Sequence, residues 1–191
     1  QEVIDAGVDE INFDYIRFPS DGPMSLAQYH NQFAEKTEVM KEFFVYLKEN
    51  LKDEPAYLSG DLFGLTLDHA QVKDENGNTC DNDLNIGQCL PEAAISLDYV
   101  YPMAYASHYP PGYLGLANPA QYPYKVIHHG LAKAEPAMDP ANPQIRVWLQ
   151  AFNMGAVYGI DKIREQIKAV EESPATQGWV LWNARNVYNY Y

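Results

Sequence analysis

The chain has little basic charge, no long apolar run and only two cysteines. Its 191 residues include 13 Lys and Arg against 26 Asp and Glu, which gives a formal net charge of −13. Because no cluster of basic side chains could neutralise phosphates, binding to nucleic acid or to an anionic membrane is disfavoured. No stretch approaches the roughly 18 apolar residues of a membrane span. No Cys or His spacing predicts zinc and no glycine-rich loop predicts a phosphate site, so we expect neither metal nor cofactor.

The two cysteines, Cys80 and Cys89, lie in and beside a polar stretch over residues 74–88. In an oxidising compartment they could form a disulfide that stabilises the fold by about 2–3 kcal/mol, and two unrelated thiols are the alternative. The oxygen-rich residues 74–83 superficially resemble a calcium loop. They lack the spacing and the closing Glu of an EF-hand, so a solvated loop is predicted.

Strand-like and helical segments alternate along the whole chain. The predicted strands cover about 10–18, 56–63, 97–106, 144–151 and 178–183. The predicted helices cover about 25–52, a short segment ending near 96, 119–134 and 158–172. Such alternation predicts an α/β fold with a parallel sheet and helices packed on its outside. No proline- or glycine-rich linker divides the pattern, so we expect a single domain over residues 1–191.

Two aspartates at strand ends carry the main functional signal. Asp14 comes at the far end of the first predicted strand, and Asp61 comes near the end of the second. Parallel α/β folds place their ligands at the carboxyl ends of strands, so we expect both carboxylates at one cavity. Two carboxylates can protonate a leaving glycosidic oxygen and stabilise the developing oxocarbenium ion. Structural roles are the alternative, with Asp14 paired to Arg17 and Asp61 capping a turn at Gly64.

Six segments resemble successive blocks of a bacterial domain-of-unknown-function family of glycoside hydrolases. They are Phe13-Asp-Tyr-Ile-Arg-Phe-Pro19, Ser59-Gly-Asp-Leu-Phe-Gly64, Asp83-Leu-Asn-Ile-Gly-Gln88, Asp98-Tyr-Val-Tyr-Pro-Met-Ala-Tyr-Ala-Ser-His-Tyr109, Ile145-Arg-Val-Trp-Leu-Gln150 and Gly178-Trp-Val-Leu-Trp-Asn183. The resemblance implies a (β/α)₈ TIM-type barrel, with the first block on strand four and the last on strand eight. Because a full barrel has about 250 residues, it implies an incomplete barrel of about five parallel strands with outer helices. A companion N-terminal fragment or a second copy would then supply the first strands.

The resemblance also assigns roles to the acidic residues. Asp14 takes the position of the nucleophile or stabilising carboxylate, and Asp61 becomes the acid/base. Arg17 is expected beside Asp14, where it would favour the charged form, while Asp61 needs a drier setting to hold a proton near neutral pH. Asp98 is the runner-up acid, but it stands at the beginning of its strand, the end that serves stability in this architecture.

Aromatic and polar side chains near the strand ends complete the predicted sugar site. Rings can stack on the apolar face of a pyranose, while amide, guanidinium and imidazole groups can bind its hydroxyls. The predicted substrate-binding residues are Arg17, Tyr105, His108, Trp148, Gln150, Trp182 and Asn183. Trp182 is expected to form the floor of the central subsite, and Trp179, one face away, is expected to be buried between sheet and helices.

These observations predict a glycoside hydrolase that acts on a polysaccharide by a two-carboxylate mechanism. A non-catalytic carbohydrate-binding barrel and a half-barrel whose open edges mediate assembly are the alternatives. We expect an extracellular or cell-surface location, because polymeric sugars lie outside the cell and the cysteine pair is compatible with an oxidising compartment.

Overall fold

The computed structural model describes residues 2–27, 29, 35–75, 77–139 and 144–189. Five strands form one sheet: β1 (Glu10–Phe13), β2 (Tyr57–Phe63), β3 (Tyr99–Met103), β4 (Ile145–Gln150) and β5 (Thr176–Trp182). The strands lie in sequential order, and every neighbouring pair is parallel. Since parallel neighbours need a crossover connection, this order confirms the predicted βα alternation. It is consistent with part of a (β/α)₈ barrel.

Six α-helices accompany the sheet in the part of the chain that the structure describes. They are α1 (Glu2–Asp5), α2 (Lys36–Leu51), α3 (Thr66–His69), α4 (Leu90–Ser96), α5 (Pro123–Ala134) and α6 (Ile160–Glu171). Helix α2 is shorter than the predicted helix over 25–52, because Met24–Leu26 form a separate 3₁₀ turn and Glu35, directly before α2, has an extended backbone. Residues 28 and 30–34 lie outside the described residues. None of the helices in the described part of the chain has the length and apolar character of a membrane span.

The main core lies between the sheet and the helices. Val147 and Leu149 of β4 are fully buried, as is Leu62 of β2. They pack in one apolar cluster with Phe44 of α2 and Leu131 of α5. Because side chains alternate along a strand, the residues between these apolar positions point to the opposite face of the sheet. That face is polar and aromatic, as the sequence pattern predicts.

A network of charged and phenolic groups crosses the polar face near the amino ends of the strands. Arg146 Nη1 of β4 donates to Glu10 Oε2 of β1 at 2.6 Å and to the Tyr101 hydroxyl of β3 at 2.9 Å. The Tyr101 hydroxyl donates to Glu10 Oε1 at 2.8 Å. The guanidinium carbon of Arg146 lies 3.4 Å from the ring centroid of Tyr99. These contacts join three strands on the face opposite the helices.

The first strand is shorter than predicted. It ends at Phe13 instead of continuing to residue 18. Tyr15 adopts a left-handed backbone conformation with φ of 57°, and Arg17 N donates to Tyr15 O at 2.9 Å. This turn redirects the chain directly after Asp14, so Asp14 belongs to a loop at the strand end.

Cys80 and Cys89 form a disulfide in the loop that connects α3 to α4. Two carboxylates of this loop stabilise turns: Asp74 Oδ1 accepts from Asn78 N at 2.8 Å and Asp83 Oδ1 accepts from Asn85 N at 2.8 Å. Over the described ranges, no group of three His, Cys, Asp or Glu side chains is arranged to hold a metal ion.

Candidate active site

A cavity of about 650 Å³ opens at the carboxyl ends of the strands. Its volume is within the usual range of small-molecule sites, about 300–1,000 Å³. Every strand contributes a residue that lies near or just beyond its end, and the loop before α4 contributes one more. The lining residues are Asp14, Tyr15, Arg17, Asp61, Phe63, Gly64, Leu65, Gln88, Met103, Tyr105, His108, Tyr109, Trp148 and Trp182.

Asp61 is a buried carboxyl group in the wall of this cavity. It is 7% exposed, and Trp148 Nε1 donates to its Oδ1 at 2.8 Å. Burial raises the pKa of Asp61 from 3.8 to about 6, opposed by hydrogen bonds from Trp148 and Asn12 and reinforced by the negative charge of Asp14. Asp61 therefore has the dry setting that the sequence analysis required for a carboxyl group that keeps its proton near neutral pH.

Asp14 lies at the same cavity but in a different environment. It is exposed, and its Oδ1 accepts a hydrogen bond from Tyr15 N at 2.7 Å. Its charge reaches Asp61 and contributes to the raised pKa of that group. The two aspartates thus face one shared space, one of them exposed and the other buried.

Arg17 lines the cavity, but the expected pairing with Asp14 is wrong. The Arg17 guanidinium donates to Phe18 O at 3.0 Å and to Ser20 Oγ at 3.1 Å, and it lies 3.7 Å from Asp21 Oδ2. The turn after Asp14 directs the guanidinium toward these later residues. Its carbon lies 4.8 Å from the centroid of the Phe63 ring, so Arg17 forms part of the cavity wall through a cation–π contact.

Tyr105 and His108 form a second wall beyond β3. Their rings meet edge to face with centroids 5.3 Å apart, and Tyr105 also packs on Phe152 at 5.5 Å. Burial, followed by the charges of Asp61 and Asp14, raises the pKa of Tyr105, while burial lowers the pKa of His108. Both groups are therefore neutral near pH 7 and can donate hydrogen bonds without adding charge.

Two tryptophans form an aromatic corner of the cavity. The Trp148 and Trp182 rings meet edge to face with centroids 5.9 Å apart and an interplanar angle of 82°. Trp182 is 43% exposed, so part of its ring faces open space. Trp179 lies on the other face of β5 and is 37% exposed. Its predicted burial is wrong, because β5 is the last strand in the order and the helices cover its outer face incompletely.

Gln150 and Asn183 lie outside the cavity lining, and their amides serve the backbone instead of a ligand. Gln150 is fully buried. Its Oε1 accepts a hydrogen bond from Ser107 N at 3.1 Å, and its Nε2 donates one to Phe152 O at 3.0 Å. Asn183 Nδ2 donates to Ala151 O at 2.6 Å. The structure therefore places both amides away from the cavity lining, and their substrate-binding role stays a prediction. Each amide supports a loop that follows a strand.

The runner-up acid, Asp98, also lies outside the cavity lining. Its Oδ2 accepts from Leu58 N at 2.7 Å, where it continues the hydrogen bonding between β2 and β3 at the amino end of the sheet. Gln88 is the main lining residue that the sequence did not indicate as part of the site. It stands in one of the family blocks, but its partners lie 25 to 72 residues away in sequence, so no local pattern indicates them.

The sequence matches one known family over nearly its whole length. That family is described as "Putative glycosyl hydrolase domain", and the match covers residues 1–188. The chain belongs to this family. The resemblance drawn from the six sequence segments is thereby confirmed. No curated protein matches the chain.

Among solved structures, the chain is similar to the PgaB (BpsB) glycoside hydrolase domain from Bordetella bronchiseptica. The TM-score is 0.48 at 18% sequence identity, and the match covers 76% of this chain and 37% of that one. The chain thus spans a little over a third of the length of that structure.

Proposed function

We propose that the chain hydrolyses glycosidic bonds of a polysaccharide at the 650 Å³ cavity. The observation that carries the proposal is the contrast between two carboxyl groups at one site. Asp61 is buried with its pKa raised to about 6. Asp14 is exposed, and it is close enough for its negative charge to contribute to that raised pKa. A buried acid with a raised pKa beside a second, exposed carboxyl group is typical of acid and base assignments in glycosidases. Membership of a glycosyl hydrolase family supports the same conclusion.

In the proposed reaction Asp61 is the general acid. Its proton passes to the glycosidic oxygen as the bond from that oxygen to the anomeric carbon breaks. Asp14 is the carboxylate that stabilises the positive charge developing on the sugar ring. Water supplies the hydroxyl group that the anomeric carbon gains and the proton that returns to Asp61.

The cavity walls suit a sugar. The partly exposed ring of Trp182 offers a surface for the apolar face of a pyranose. The neutral side chains of Tyr105 and His108 and the guanidinium of Arg17 can donate hydrogen bonds to hydroxyl groups. The cavity lies at the ends of parallel strands, which is also where (β/α)₈ barrels keep their active sites.

The barrel architecture and the location of the protein are part of the same proposal. Five parallel strands in sequential order support part of a (β/α)₈ barrel. The Cys80–Cys89 disulfide supports an extracellular or cell-surface location, because disulfides persist in oxidising compartments.

A screen of polysaccharides for release of reducing ends tests the proposal. Wild type is expected to release reducing ends from at least one polymer. Asp61→Asn and Asp14→Asn are expected to lose that activity and still bind the polymer in calorimetry. Asp98→Asn is the matched control, since Asp98 bonds to backbone away from the cavity, and it should retain activity. Unchanged hydrolysis by the Asp14 and Asp61 variants would contradict the mechanism, and binding without any hydrolysis would favour a carbohydrate-binding module.

A further inference from the structure

Gln88 is a buried amide that joins the segments following β1 and β2. It is 1% exposed. Its Oε1 accepts from Phe63 N at 2.9 Å, and its Nε2 donates to Ile16 O at 3.1 Å and to Asp61 O at 3.2 Å. One side chain therefore bonds to the backbone of Asp61 itself and to the backbone two residues beyond Asp14.

The backbone groups of β2 point alternately toward its two neighbouring strands. Tyr57 N donates to Asp9 O on the β1 side at 2.9 Å, and Asp98 N donates to Leu58 O on the β3 side at 2.8 Å. Because this orientation alternates along a strand, odd-numbered residues of β2 present their N–H and C=O groups toward β1.

Gln88 hydrogen-bonds to the backbone of β2 beyond the point where β1 ends. The last residue of β1, Phe13, lies opposite Gly60, so the β1-facing C=O of Asp61 and N–H of Phe63 lie beyond the end of that strand. Buried backbone groups need partners. A primary amide carries one acceptor oxygen and two N–H donors, the same kinds of group as a peptide unit. The Gln88 side chain thus continues the hydrogen bonding along this edge of β2, beyond the last residue of β1.

The loop that carries Gln88 is fixed on both sides of this residue. Two positions earlier, Ile86 O accepts from Phe18 N at 2.9 Å. One position later, Cys89 is bonded to Cys80. The amide is therefore presented from a tethered segment, and the loop after Asp14 and the end of β2 are held against it.

We propose that Gln88 is a positioning residue that sets the placement of Asp14 relative to Asp61. It acts through the backbone on which the two aspartates are carried. The proposal rests on the proposed function, because the separation of two carboxylates matters for rate when both act on one bond.

Gln88→Met tests this role, since it removes all three hydrogen bonds and changes the side-chain volume little. The backbone of Asp61 then loses an anchor and its carboxyl group gains access to water. We expect the pKa of Asp61, followed by ¹³C NMR of the side-chain carboxyl carbon, to fall from about 6 to below about 5. With a polysaccharide that wild type cleaves, kcat should fall on the order of 10²-fold with little change in KM.

Gln144→Met is the matched control. The Gln144 side-chain amide also hydrogen-bonds to three backbone groups. Its Nε2 donates to Ala94 O and Leu97 O at 2.9 Å and to Asp98 O at 3.4 Å. It does so at the amino ends of the strands, away from the cavity. This variant should lose stability while both the Asp61 titration and kcat remain as in wild type.

The NMR titration needs no substrate, so it separates this inference from the proposed function. If the pKa of Asp61 in Gln88→Met equals the wild-type value, the positioning role is overturned. A fall in its pKa in a protein that cleaves no polysaccharide supports the positioning of Asp61 and overturns the hydrolase proposal. If Gln88→Met does not fold, Gln88→Asn keeps the amide on a shorter side chain. A fall of the Asp61 pKa below the wild-type value in that variant supports the role, and no fall contradicts it.

Discussion

The indole of Trp148 donates its Nε1–H to Asp61 Oδ1 at 2.8 Å, linking β4 to β2 across the intervening strand. The bond stabilises the charged carboxylate and opposes the burial that raises the pKa of Asp61 to about 6. Trp148 therefore orients the carboxyl group and limits how strongly burial favours its protonated form. The protonation of Asp61 depends on the balance of these two effects.

Replacing Trp148 by Phe removes the donor and keeps an aromatic ring. Because the lost hydrogen bond favoured the charged form, the pKa of Asp61 should rise above about 6. A general acid must be protonated to act, so the rate of wild type should fall as pH rises through that value, and this decline should move to higher pH in the variant. The measurement is the pH dependence of kcat/KM. A shift to lower pH would contradict this view of the bond.

Asp61→Asn should stabilise the fold at neutral and alkaline pH. The folded-state pKa of Asp61, about 6, lies above its ordinary value of 3.8. The native state therefore binds more protons between these pH values, and wild-type stability falls as pH rises from about 4 to about 6 and stays lower above that. Asn does not ionise and avoids this loss. We expect a gain on the order of 3 kcal/mol at pH 8 and none near pH 3, measured by urea unfolding. A variant less stable than wild type at pH 8 would contradict the sign.

Trp182→Ala should weaken sugar binding, because the exposed part of this ring faces the cavity. Trp179→Ala is the matched control, since Trp179 has similar exposure on the opposite face of the same strand. We expect Kd for an oligosaccharide of the cleaved polymer to rise about 10-fold for Trp182→Ala and to stay unchanged for Trp179→Ala. Calorimetry measures both. Equal losses in the two variants would show that Trp182 acts through stability alone.

The Cys80–Cys89 disulfide should contribute measurable stability. It joins positions 9 apart in sequence, and closing a loop of that size is worth about 2–3 kcal/mol through the entropy of the unfolded chain. The free energy of unfolding of wild type in urea should fall by that amount when reductant is added. A variant with both cysteines replaced by Ala should have the lower value in either condition. Wild-type stability that does not respond to reductant would contradict the prediction.

The fold was predictable because each strand has a local signature. In β4 the apolar Val147 and Leu149 alternate with Arg146 and Trp148, and the structure assigns the two pairs to opposite faces. The meeting of Asp14 and Asp61 at one cavity was also predictable, since carboxyl ends of parallel strands share one edge of a sheet.

Other features depend on contacts that the sequence does not indicate. The turn at Tyr15 shortens β1 and gives Arg17 new partners, and a positive φ at a tyrosine has no sequence signature. A buried amide at a strand end can bind a ligand or complete the backbone. Gln150 and Asn183 complete the backbone, since Gln150 Oε1 accepts from Ser107 N and Asn183 Nδ2 donates to Ala151 O.

The dependence of rate on the leaving group tests the central claim most directly. Hydrolysis of the cleaved polysaccharide and of an activated aryl glycoside of the same sugar is compared for wild type, Asp61→Asn and Asp14→Asn. A stable aryl leaving group needs little protonation, so Asp61→Asn should lose about 10²–10⁴-fold on the polysaccharide and much less on the aryl glycoside. Asp14→Asn should lose activity on both. Wild-type rates for both variants on the polysaccharide would contradict the assignment of Asp61 and Asp14 as the reacting carboxyl groups.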